Sequence, residues 1–188
     1  MRIEFSRFTP DEADALVEFL LSDPWPFHAG VQQEEAIRRR VADGVYDDEE
    51  NRTFWLLADG ERAGLVRLMD LTEPTPMFDL RIRSEWRGRG LGTAAVRWLT
   101  SHLFEEYPEV TRIEGNTRQD NRAMRAVFRR CGYAKESHYR DAWPSPDGTV
   151  YDSVGYAILR RDWLTGTVTV PDWNDEAEPA GQSSGKEK

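Results

Sequence analysis

The chain has 188 residues, enough for one domain with a small appendage, and can bury roughly 70 % of its unfolded surface without a covalent staple. A single cysteine, Cys131, excludes an internal disulfide scaffold and points to a reducing compartment. Thirty-four acids against 25 bases give a net charge of −9, which argues against a duplex-DNA binder and tolerates a cationic partner. No apolar run approaches the ~18 residues of a membrane span, and Met1–Phe5 lacks the apolar core of a signal peptide, so a cytoplasmic protein is expected.

Arg2 to Phe8 alternates as a first strand. Thr9-Pro10-Asp11-Glu12 supplies an N-cap, a proline in the first turn and a capping-box acid, and Ala13, Leu16, Val17 and Leu20 continue at helical spacing to about residue 22. Prolines and glycine make 22–30 a loop, and a charged helix fits Gln32 to Val45. Thr53–Ala58 and Ala63–Met69 flank Asp59-Gly60 as a hairpin, and Met77–Arg83 is the next strand. A helix from Leu91 to Tyr107 and a strand from Val110 to Asn116 follow. Asp120 can cap a helix over 121–131, which Gly132 stops in a left-handed conformation. Tyr133–Trp143 and Thr149–Arg160 are two long strands joined through Pro144-Ser145-Pro146-Asp147-Gly148. The domain is assigned to 1–168. An acidic tail over 169–188, almost free of apolar residues from Pro171 onward, is expected to be disordered.

The informative segment is Leu80-Arg81-Ile82-Arg83-Ser84-Glu85-Trp86-Arg87-Gly88-Arg89-Gly90-Leu91-Gly92-Thr93. A strand feeds a glycine-punctuated loop and a helix begins at once, so free N–H groups and the helix dipole make an anion cradle. Arg81, Arg83, Arg87 and Arg89 concentrate positive charge in an acidic protein; the bland alternative is a tight basic turn. The spacing fits neither a P-loop nor a dinucleotide fingerprint.

Arg87-Gly88-Arg89-Gly90-Leu91-Gly92 resembles the Arg-x-x-Gly-x-Gly acetyl-CoA pyrophosphate loop of the GNAT N-acetyltransferases. Asn121 to Tyr133 is similar to that family's Asn-led helix ending in Gly-aromatic, and Tyr151 to Trp163 to the last strand of its RimJ/RimL-like branch. The resemblance spans residues 2–165. It implies a mixed α/β, mainly antiparallel sheet with a splayed strand pair, flanked by about four helices. It further implies acetyl-CoA as cosubstrate without a metal: backbone near Ile82 would pair with the pantetheine arm, backbone from Arg87 to Thr93 (Arg87, Gly88, Arg89, Gly90, Leu91, Gly92, Thr93) would hold the pyrophosphate, and Asn121 would touch the arm. Phe128, also placed at the cofactor, stands where many members carry a proton-donating tyrosine, and Met124 where some carry serine. The acid is thus unassigned among Tyr133, Tyr139, water or an unassisted thiolate.

Glu114 and Asp79, mid-strand beside the joint, are the candidate bases; salt bridges to Arg112 or Arg118, and to Arg81, are the structural alternatives. His28 and His138 are further base candidates. For the acceptor pocket, Asp23, Trp25, Phe27, His28, Glu73, Asp141, Trp143 and Asp152 interleave acids with aromatics, which suits a small polycationic amine unless the aromatics are only loop anchors. Trp25-Pro26-Phe27-His28 and Asp141-Ala142-Trp143 are similar to kasugamycin-type aminoglycoside acetyltransferases. The expectation is therefore acetylation of an aminoglycoside-like primary amine, hence resistance; protein N-terminal acetylation and a non-catalytic acyl-CoA-binding regulator are the rivals. No nucleic-acid or membrane partner is expected, and a homodimer is admitted.

Overall fold

The computed structural model describes residues 1–28, 32–145 and 147–173. Seven strands, β1 (Ile3–Arg7), β2 (Arg52–Ala58), β3 (Glu61–Met69), β4 (Met77–Ile82), β5 (Arg112–Arg118), β6 (Ala134–Pro144) and β7 (Val150–Leu159), form one sheet in the order β1-β2-β3-β4-β5-β7-β6. Every neighbouring pair is antiparallel except β4 with β5. The helices are α1 (Ala13–Leu21), α2 (Glu34–Ala42), α3 (Leu91–Glu106), α4 (Arg122–Arg130) and α5 (Arg160–Thr165).

Strand alternation sorts the apolar residues onto two faces. Phe54, Leu56, Val66, Leu68 and Ile113 pack with Leu91, Ala95, Leu99 and Leu103 of α3 and Phe128 of α4. On the other face Trp55 and Leu65 pack with Leu16, Phe19 and Leu20 of α1 and Ile37 of α2. That second cluster stops at β3. The same face of β4 and β5 is met instead by the segment after α1, which carries Trp25, Phe27 and His28.

β4 and β5 share one register pair, Met77 with Glu114, reinforced by Glu114 N–H donating to the Pro76 carbonyl at 3.0 Å. Beyond it the strands diverge, as the splayed pair requires. Phe78 and Phe128 sit at this divergence with ring centroids 6.0 Å apart. Gly115 leaves the room for them: a Cβ there would lie 2.5 Å from Phe128 Cζ and 3.1 Å from Phe78 Cε1.

Several local expectations are corrected. Pro10–Glu12 is a 3₁₀ turn that precedes α1. The cap of α4 is Asn121, whose Oδ1 accepts the Met124 N–H at 3.2 Å; Asp120 is turned to Arg118 instead. Residues 160–165 leave the last strand as α5, because Arg160 donates to the Phe104, Tyr107 and Val110 carbonyls at 2.6 Å each and so caps α3. Thr169 stays attached, its N–H and hydroxyl both donating to Asp162 at 2.8 Å. Most of the tail expected over 169–188 lies outside the described residues.

Gly115→Ala should drive a methyl into the Phe128 ring and lower stability by about 1–3 kcal/mol. Urea unfolding followed by tryptophan fluorescence measures this, and an unchanged midpoint would contradict the close packing.

Candidate active site

The cradle forms as its glycines demand. Gly88 and Gly90 adopt φ of 76° and 87°, and a Cβ on either would meet none of the described residues within 4 Å, so the backbone is open to a ligand there. Gly90 is the N-cap of α3 and, among the described residues, no side chain caps the helix, which leaves the first-turn N–H groups of Leu91, Gly92 and Thr93 to meet an anion. The loop borders a cavity of about 390 Å³ that runs along Leu80 and Ile82 of β4 to Ala123, Met124, Val127 and Arg130 of α4. An extended chain ending in a diphosphate fits this layout: amide groups beside an opened strand, phosphates on a helix start.

A second cavity of about 340 Å³ lies across the splay, lined by Met69, Met77, Asp79 and Arg81 on one side and Asn116, Thr117, Phe128 and Trp143 on the other. Phe27, His28, Leu80, Asn121 and Met124 border both cavities. The two spaces therefore meet at the divergence of β4 and β5, one suited to a long donor and the other to an acceptor.

The segment 22–28 spans this junction and is held at three points. Asp23, with 7 % of its side chain exposed, accepts the Ser84 N–H at 2.6 Å and hydroxyl at 2.8 Å, and meets Arg87 at 3.2 Å. Arg118 donates to the Pro26 carbonyl at 3.3 Å and is placed between the Phe27 and Tyr151 rings, 4.8 and 3.8 Å from their centroids. His28 Nε2 lies 2.8 Å from Asp79 Oδ1. Asp79 also accepts Arg81 Nε at 3.0 Å. Burial acts to raise the Asp79 pKa, but the His28 hydrogen bond and charge, with Arg81 behind them, outweigh it and hold the carboxyl well below the usual carboxylate range.

Of the residues singled out in the sequence, the fold brings together the glycine loop, Ile82, Asn121, Phe128, Trp25, Phe27, His28, Asp79 and Trp143. It does not bring Glu114 there. That carboxylate is paired with Arg112, which also holds Glu136, and it borders neither cavity. Glu73 is exposed in the turn after β3. Asp141 is exposed on a β6 bulge with φ of 53°, its N–H donating to Asp152, which also meets His138 at 2.7 Å. Asp23 is enclosed in its clamp. Arg87 is partly committed, its Nε donating to the Ile82 carbonyl at 2.9 Å and its Nη2 to Asp23 and the Pro24 carbonyl; Arg89 lies 5.0 Å over the Trp86 ring. Of the acid candidates, Tyr133 bonds Thr100 at 2.8 Å in the core, where burial pushes its hydroxyl pKa up, and Tyr139 is exposed away from both cavities. Sequence reasoning missed Arg130 and Trp86 beside the cradle and Met69, Met77 and Asn116 at the acceptor side. Met69, Met77 and Asn116 sit in ordinary strand alternation and Arg130 in a helix pattern, while Trp86 lies in the 3₁₀ turn after β4.

A long donor on one side of the splay and an amine on the other is the layout that an acyltransferase needs. Residues 2–134 match the acetyltransferase (GNAT) domain, and the chain belongs to that family of N-acetyltransferases, which draw the acetyl group from acetyl-CoA. Its relatives include the Bacillus subtilis (strain 168) protein named "Putative ribosomal N-acetyltransferase YdaF", 28 % identical over 165 residues, 82 % of this chain and 89 % of that one. RimL, a ribosomal L7/L12 alpha-N-protein acetyltransferase solved with coenzyme A, superposes with a TM-score of 0.74 at 18 % identity, covering 84 % of this chain and 93 % of its own. The dodecameric spermidine N-acetyltransferase of Vibrio cholerae superposes with a TM-score of 0.72 at 15 % identity over 87 % and 97 % of the two chains. These last two likenesses speak for the fold alone.

If the cradle grips acetyl-CoA, cosubstrate at about 100 times its Kd should add roughly 2.7 kcal/mol of stability, read as a rise in Tm. Gly90→Asp, which strains a left-handed position and sets a carboxylate in the anion site, should raise the KM for acetyl-CoA by about tenfold or more, ~1.4 kcal/mol. An unchanged Tm and KM would remove the cradle from the cosubstrate site.

Proposed function

We propose that this acetyltransferase modifies a primary amine carried on an uncharged, largely apolar neighbour, the α-amine of a protein N-terminus being the best-supported acceptor. The backbone of Leu80 and Ile82 receives the pantetheine arm, the N–H groups from Gly88 to Thr93 receive the pyrophosphate, and the thioester reaches the junction beside Asn121. The amine enters from the opposite cavity.

The lining of that cavity carries the reading. Three thioethers, Met69, Met77 and Met124, stand with Phe27, Phe128 and Trp143, and among the described lining residues Asp79 is the one carboxylate. It already meets His28 and Arg81. An acceptor with several ammonium groups would find no unpaired acid there, and Arg81 would repel it. The aminoglycoside reading keeps its aromatic half in Trp25, Phe27 and Trp143, but its acids are elsewhere: Asp23 clamped, Glu73 and Asp141 exposed, Asp152 on His138. Thioethers and aromatic faces instead suit a side chain of one residue beside a single reacting nitrogen. The Bacillus relative named "Putative ribosomal N-acetyltransferase YdaF" lies in the same direction.

A panel of N-terminal peptides, spermidine and aminoglycosides, read by thiol release from acetyl-CoA, tests this. Peptides with small or apolar first residues should exceed both polycations in kcat/KM by about tenfold or more. A polycation preferred over every peptide would overturn the acceptor assignment while leaving acetyl transfer in place.

A further inference from the structure

Direct acetyl transfer moves one proton from nitrogen to sulfur, and the groups that usually accept or donate it are missing here. Glu114 is paired away from the junction, and Phe128 carries no hydroxyl. Among the described residues, no tyrosine, cysteine or lysine borders either cavity. His28 borders both. Its Nε2 is 2.8 Å from Asp79 Oδ1, and an ionised carboxylate there accepts, so Nε2 carries a hydrogen; in the neutral ring Nδ1 is then the nitrogen with the lone pair. That Nδ1 is buried and, among the described residues, has no hydrogen-bond partner. Buried acceptors are nearly always satisfied, so an orphan Nδ1 on a residue that borders two ligand spaces points to a partner supplied when substrate binds.

We propose that His28 is the catalytic proton carrier of this site, its Nδ1 taking the proton from the acceptor nitrogen and delivering it to the leaving sulfur, with Asp79 as the positioning residue. The inference rests on acetyl transfer occurring at this junction. The neutral amine lone pair attacks the thioester carbonyl carbon and the C–N bond forms. Nδ1 accepts the N–H proton, and the imidazolium is held by Asp79. The C–S bond then breaks with its electron pair on sulfur, and the same proton passes to sulfur. Amide and free thiol leave, and the imidazole is neutral again. One residue thus serves as base and then acid, at a junction where position 128 is a phenylalanine without a proton to give. Asp79 fixes the tautomer as an orienting carboxylate does in a catalytic triad.

His28→Gln, which keeps a polar group facing Asp79 but cannot carry a proton, should lower kcat by about 100-fold or more while the acetyl-CoA-induced rise in Tm and the acceptor KM stay within about twofold. His28→Ala should lose as much and regain part of it with added imidazole, more with more basic methylimidazoles. The charged groups around this histidine among the described residues are Asp79 and Arg81 on β4, Arg118 on β5, Asp23 on the clamped segment and its partner Arg87 in the turn after β4. Removing the one anion in contact, by Asp79→Asn, should move the acidic limb of the kcat profile to lower pH, since an imidazolium beside a neutral amide is less favoured. A kcat for His28→Gln within about threefold of the unaltered enzyme overturns the proposal, as does an unmoved limb in Asp79→Asn with no imidazole rescue of His28→Ala. Thiol release by the unaltered enzyme with the same amine checks the underlying reaction separately.

Discussion

β4 and β5 share one register pair and then part, so the sheet opens toward the C-terminal end of β4. An opened strand edge inside a fold leaves main-chain donors and acceptors without a ladder partner, a condition tolerated only where something else meets them. Part of the answer is internal, because Arg87 reaches back to the Ile82 carbonyl. The remainder faces a cavity that ends on the uncapped start of α3. The opening is built in by packing: Gly115 yields its side-chain volume to Phe128, and Phe78 joins that ring at the floor of the wedge. Donor binding, acceptor access and the position of His28 all follow from this gap.

The segment 22–28 turns the gap into a site. Neither α1 nor α2 reaches past β3, and without cover the polar face of β4 and β5 would be open to water. Ion pairs and aromatic contacts provide the cover, with Asp23 gripping the turn after β4 and Arg118 gripping Pro26 and Phe27 from β5. Because these anchors lie on both sides of the splay, the segment is held across it as a bridge, and the residue at its far end is His28. Charges that a sequence reading would assign to ligands are here used for architecture.

That use of charge also decides the acceptor side. An acidic chain with acids near aromatics reads as a home for a polycation, yet net charge says nothing of which acids are already paired. Asp23, Asp79, Glu114 and Asp152 each have a cationic or hydrogen-bonding partner in the folded chain. Methionines, which carry no charge signal, are what surround the space instead.

The sequence by itself determined the strand and helix order, the glycine elbow and the family, because alternation, helical spacing and a left-handed glycine are local properties that a few neighbouring residues express. Gly132 adopts the left-handed conformation its position announced. Tertiary structure decided which side chains converge. Glu114 and Asp79 look alike in sequence, each one residue from an apolar strand neighbour, but one falls beside Arg112 and the other beside His28, 51 positions away in the chain. Partners so distant are selected by strand register and by where a loop is pinned, and neither is written in the residues near them. For the same reason the Asn121 cap, the turn into α5 and the thioether-lined cavity emerged only when the sheet was assembled.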